Sequence, residues 1–126
     1  GKSRYSHECI LKEKEFVLAF PSAEQAEDVL FCGTHSGRSM DKFAQTSFTA
    51  TEASEVSAPL IRECPVNLEC RLAGTLETGD HTVFAGEVLA SWRSDTDQRL
   101  LLSVADAPEY EILARGGGHL LGTLKG

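Results

Sequence analysis

Between Val66 and Trp92 the chain alternates as strands do. Val66, Leu68, Cys70 and Leu72 are separated by Asn67, Glu69 and Arg71, the two-residue period of a strand with one face in a core. Phe84, Gly86, Val88, Ala90 and Trp92 predict one face of a second long strand, and Glu77-Thr78-Gly79-Asp80 supplies the turn between the two. Upstream, Glu15-Phe16-Val17-Leu18-Ala19-Phe20 is a short apolar run stopped by Pro21, which predicts a buried strand. The period becomes helical in two places. Tyr5, Cys9 and Ile10 fall on one face of a segment from Arg4 to about Lys14. Ala26, Val29 and Leu30 do the same in a helix opened by Ser22 and Gln25 at capping-box spacing, and Gly33 is expected to close it.

The remaining segments are less regular. Residues 34–39 form a polar loop, followed by a short amphipathic piece over residues 41–44. Residues 46–58, rich in Thr, Ser, Ala and Glu, read as a loop with one helical turn. Pro59 and Pro65 confine the apolar residues between them to a short or edge strand. Ser94-Asp95-Thr96-Asp97 turns the chain before Leu100-Leu101-Leu102, and the glycine-rich tail from Gly116 is expected to be loop with a short closing strand. The pattern implies a single domain over residues 1–126, mainly β with a few helices, built on an antiparallel sheet or barrel.

Composition narrows the function classes. A chain of 126 residues carries one hydrophobic core, and no run approaches the ~18 apolar residues of a membrane span. The start Gly1-Lys2-Ser3-Arg4 lacks the apolar core of a secretory signal. A net charge of −7 with scattered basic residues argues against nucleic acid as a partner, because phosphate binding leaves a basic stripe. Four cysteines without a CxxC pair predict free, mostly buried thiols and a cytoplasmic setting. The absent initiator Met points to a fragment or a processed product.

Three places carry candidate chemistry. Lys2-Ser3-Arg4-Tyr5-Ser6-His7 puts two cations and two hydroxyls at the start of a helix, where free N–H groups suit a phosphate. The same pattern also suits a solvated helix start. Ser36-Gly37-Arg38, leading to Asp41-Lys42, offers close backbone approach and polar contacts, as ordinary loops also do. Gly79-Asp80-His81 sets a His at the mouth of a strand, with Glu87 on its face as a candidate polar partner, and Gly86 in mid-strand implies a bulge or a close neighbour. His7, Cys9, Cys32 and His35 are zinc-type ligands, but neither pair has the tight knuckle of strong zinc motifs.

Taken in order, the motifs at residues 3–7, 15–22, 32–43, 58–64, 68–70 and 79–88 resemble the flavin-reductase-like family, and most of all its flavoredoxin-like branch. That resemblance implies an antiparallel FMN-binding split barrel, a homodimer, and hydride transfer from NAD(P)H to flavin. Flavoredoxin-like electron carriage and a non-catalytic flavin-binding domain are the alternatives it leaves. By the same resemblance Arg4 and Ser6, with Lys2 and Ser3, would contact the FMN phosphate. Ser36, Gly37 and Arg38 would line the flavin, Asp41 and Lys42 would complete that wall, and His81 would lie near the flavin ring or the nicotinamide as the catalytic residue. Family members carry about a strand pair of sequence before the Ser-Arg-Tyr motif, so the chain is expected to lack N-terminal strands and to expose sheet edges.

Overall fold

A computed structural model describes residues 1–126. Its longest elements are β4 (Val66–Thr78) and β5 (His81–Arg93), paired antiparallel across the two-residue turn Gly79-Asp80. Gly79 adopts φ 70 in the first turn position, a conformation cheap only for a residue without Cβ. The chain reaches this hairpin through α1 (Tyr5–Glu13), β1 (Glu15–Phe20), a 3₁₀ turn (Ala23–Gln25), α2 (Ala26–Thr34), α3 (Lys42–Gln45), β2 (Ala50–Thr51) and β3 (Leu60–Ile61). It continues through β6 (Leu102–Ser103), β7 (Tyr110–Gly116) and β8 (His119–Leu124). The strands form three antiparallel sheets, ordered β1-β4-β5, β2-β3 and β6-β8-β7.

The capping box forms as expected: the Ser22 hydroxyl and backbone N–H both reach Gln25 Oε1, at 2.9 and 2.7 Å. Gly33 does not close the helix. It lies inside α2, which ends at Thr34 without a left-handed residue. Side chains satisfy the last carbonyls instead. Thr34 Oγ1 donates to Leu30 O at 2.9 Å, and Lys42 Nζ donates to Cys32 O at 2.5 Å, a cation at the negative end of a helix.

The short closing strand expected in the tail forms as β8, but it pairs with β7 as a hairpin over residues 110–124 with a register shift between Ile112 and Ala114. Gly117 (φ 54) and Gly118 (φ 81) fill both central positions of its turn, which demands positive φ twice. Residues 46–58 hold no helical turn. Their N–H groups go to carboxylates instead: Thr49 N to Glu63, Ser57 N to Glu15, and Glu55 N and Val56 N to Glu69.

The central sheet covers its polar face as well as part of its apolar one, where Cys70 is buried. Asn67 and Glu69 are buried beneath residues 46–65, while β1, expected to be buried, has Leu18 at 47% and Phe20 at 39% exposure. β1 is an outer strand of its sheet, and its Phe16-Leu18-Phe20 row, paired with Cys70, Leu68 and Val66, is closed at the Cys70 end and open at Leu18 and Phe20. Asn67 holds the covered side by bonding Ile61 N at 2.9 Å and Ile61 O at 3.0 Å. Nor do the five residues of β5 share a face. A register shift between Glu69 and Cys70 pairs Ala90 and Trp92 with Glu69 and Asn67, but Val88 and Gly86 with Cys70 and Leu72.

Gly86 has the close neighbour its position implied. A Cβ there would stand 2.6 Å from Phe16 Cζ and 3.1 Å from Cys70 Cβ. Gly86→Ala is therefore expected to destabilise the sheet by ~1–3 kcal/mol, the usual cost of overpacking. Urea denaturation checks this, and a midpoint equal to wild type would contradict it.

Candidate functional site

α1 starts without a side-chain cap. Its N-cap residue, Arg4, is extended (φ −79, ψ 145) and makes no side-chain capping hydrogen bond, while its carbonyl accepts from His7 N at 3.1 Å. Ser3, Arg4 and Ser6 line a cleft of about 820 Å³, and the opposite wall comes from the end of α2, from Ser36 and Gly37 in the loop after it, and from Lys42 at the start of α3. Two motifs some thirty residues apart thus meet in one site. The lining includes two full cations, Arg4 and Lys42, and two histidines, His35 and His119, with no carboxylate among them. In a chain of net charge −7 that is a local reversal of sign. Arg4 makes no ion pair, whereas Lys2, Arg38, Arg71 and Arg99 are each matched to a glutamate.

The other expected site residues act around the cleft. Arg38 places Nη2 2.5 Å from Glu8 Oε2 and Nη1 3.5 Å from Ser3 O, with its guanidinium 5.2 Å from the Tyr5 ring centroid. It fastens the loop onto α1. Gly37 makes that contact possible, since a Cβ would stand 3.1 Å from Tyr5 Cδ1. Asp41 caps α3, accepting from Phe43 N at 3.0 Å. Lys2 pairs with Glu77, and its N–H donates to Asp80 O at 3.0 Å. His81 lies on the hairpin tip, exposed and outside the cleft lining, with Nδ1 2.7 Å from Asp80 Oδ1. Hydrogen bonding to His81 holds the Asp80 carboxyl below its ordinary range. Glu87 does not reach His81, because Arg71, its cross-strand partner, takes it at 2.6 Å.

The zinc-type residues are occupied separately. His7 bonds Thr82, and His35 stacks on Phe31 with centroids 4.0 Å apart while its Nδ1 bonds Phe31 O. All four cysteines are free, Cys64 and Cys70 buried and Cys9 and Cys32 half-buried. Burial pushes the Cys64 thiol up to about 11.

Residues 1–107 match the family model for the flavin reductase like domain. The chain belongs to that family. Solved structures agree on the fold. An FMN-binding protein from Thermus thermophilus superposes with a TM-score of 0.72 at 26% identity, covering 97% of this chain and 64% of that one. A flavoredoxin from Methanosarcina acetivorans superposes with a TM-score of 0.70 at 31% identity, covering 80% and 60%. An NADH-dependent FAD reductase of Streptomyces globisporus is 30% identical over 104 residues, 82% of this chain and 56% of the relative. The chain spans about half the length of the curated relatives it matches. The flavin reductase like domain is thus an antiparallel split barrel whose sheets do not close in this chain.

Two features of the domain have no sequence signal. One is a second, more apolar cleft of about 680 Å³, lined by Phe16, Leu18, Phe84 and Pro59, which shares Ser6 and Cys9 with the polar one. The other is His119, which enters the polar cleft from β8 because the glycine hairpin folds back on α2. No helix is long and apolar enough to cross a membrane.

Proposed function

We propose that the domain is an FMN-binding oxidoreductase, a reductase that takes hydride from NAD(P)H. The observation that carries this reading is the polar cleft, which holds the unpaired Arg4, two serines of the α1 start, Lys42 and no acidic side chain. Its volume lies within the ~300–1,000 Å³ of small-molecule sites. These residues suit a flavin phosphate: Arg4 and Lys42 supply charge, and Ser3, Ser6 and Ser36 supply directional donors. The adjoining apolar cleft suits a planar ring. When bound, the flavin supplies the hydride-accepting chemistry, and the protein binds, orients and balances charge.

Gly37 and Arg38 act by holding the loop against Tyr5, Asp41 by fixing α3 and hence Lys42, and Lys2 by anchoring the α1 start. His81 is assigned to the nicotinamide side through its Gly-Asp-His motif. The open Leu18 and Phe20 end of the β1 row is where a second copy is proposed to pack as a homodimer.

A second reading, an FMN electron carrier with no nicotinamide site, is favoured by the likeness to flavoredoxins. One experiment separates the two. The protein is mixed with FMN and desalted, its visible spectrum is recorded, and NADH and NADPH oxidation is then followed with FMN present. Retained flavin with nucleotide oxidation is expected. Retained flavin with neither nucleotide oxidised would exclude the reductase in favour of the carrier. A colourless protein would mean that this chain does not hold FMN.

A further inference from the structure

A carboxylate accepts hydrogen bonds and donates none, which gives direction to a row of contacts at the β4–β5 hairpin. Glu77 Oε2 lies 2.5 Å from Lys2 Nζ, and Glu77 Oε1 accepts from Thr82 Oγ1 at 3.1 Å. The Thr82 hydroxyl has one hydrogen, and Glu77 takes it. In the remaining contact, Thr82 Oγ1 to His7 Nε2 at 3.0 Å, the imidazole must be the donor. His7 stands in the first turns of α1, and its ring also packs on Phe84 with centroids 5.4 Å apart. It lines neither the polar nor the apolar cleft, but Ser6 beside it lines both.

We propose that His7 is a positioning residue: its ring donates from Nε2, ends the row Lys2–Glu77–Thr82, and clasps the start of α1 to the hairpin. The clasp sets where Ser3, Arg4 and Ser6 stand in the polar cleft. This consequence rests on the flavin reading, whereas the direction of the row does not. The bonds from Lys2 and Thr82 also keep the Glu77 carboxyl below its ordinary range. The two ends are not equal. Lys2 and Glu77 are 40% and 62% exposed at the side chain, so water screens their pair, while the His7–Thr82 bond is partly buried and joins residues 75 positions apart. The clasp therefore depends on Thr82 more than on Lys2.

The test uses the whole chain. Long-range ¹H–¹⁵N spectra, taken where imidazole is neutral, are expected to show His7 protonated on Nε2, and a proton on Nδ1 would overturn the assignment. Thr82→Val is expected to speed amide hydrogen exchange in α1 and to raise the Kd for FMN, each by about 2–10-fold, the range for losing the one hydrogen bond by which Thr82 holds α1. Thr82→Ser should restore both. If wild type binds FMN and Thr82→Val alters neither affinity nor exchange, the positioning role is wrong. If wild type fails to bind FMN, the flavin reading falls, and the His7 tautomer with α1 exchange still decides the clasp.

Discussion

Arg4→Ala is expected to weaken FMN binding by roughly 10–150-fold, the ~1.5–3 kcal/mol of a hydrogen bond to a charged group. The size of the effect follows from Arg4 having no other partner. Arg38 is already tied to Glu8 and Lys2 to Glu77, so removing either would release a glutamate as well as a cation. Arg4 lines the cleft with no such commitment, so its loss should fall on the ligand and leave thermal stability near wild type. The interaction is exposed and electrostatic, so wild-type affinity should drop with added salt, and the variant's should drop less. Fluorescence titration of FMN at two salt concentrations reads both. Equal affinities for wild type and variant would remove the phosphate from the Arg4 end of the cleft.

The parts of this molecule that were legible in the sequence rest on local chemistry. Ser22 and Gln25 announce a helix start because the capping box is complete within four residues. Gly79 marks the hairpin because only its neighbours decide the turn. The phosphate motif and the Ser36-Gly37 loop were each readable in the same way, but their meeting was not. It depends on Arg38 reaching Ser3 and on Gly37 admitting the Tyr5 ring, contacts that no local period encodes.

Strand alternation has a related blindness: it distinguishes two faces without saying which one is covered. On β4 the apolar residues suggested Val66, Leu68, Cys70 and Leu72 as the inner face. The structure buries Cys70 of that row and half-buries the others, but it covers Asn67 and Glu69 as well, because residues 46–65 bring hydrogen-bond partners to both. The same segment has polar composition for this reason, and read alone it resembles plain loop.

Glu69→Gln is the strongest test of that covered polar face. Glu69 has no exposed surface. Its Oε1 accepts from Glu55 N at 2.6 Å and Val56 N at 3.3 Å, and its Oε2 accepts from Trp92 Nε1 at 2.6 Å and Ser54 Oγ at 3.1 Å. Burial pushes its pKa up, but these donors, the Trp92 indole foremost, more than reverse it and hold it at about 2. Glutamine keeps the shape but offers one oxygen. With that oxygen left to Glu55 and Val56, its NH₂ faces the indole N–H, which loses its acceptor, while the Ser54 hydroxyl must turn from donor to acceptor. The variant should therefore melt roughly 5–10 °C lower. Trp92 is the only tryptophan, so its fluorescence should change as the indole loses its partner. The acid response gives the second readout. A carboxyl whose folded pKa is depressed contributes fully above the ordinary 4.5 and loses that contribution as pH falls through about 2. Wild type should thus lead Glu69→Gln at neutral pH, and the gap should narrow steadily between those limits. A gap independent of pH would show that Glu69 is not held as a buried carboxylate. The segment it fastens, continued by Ser57 on Glu15, forms one wall of the apolar cleft, so the variant should also loosen that cleft without touching Arg4.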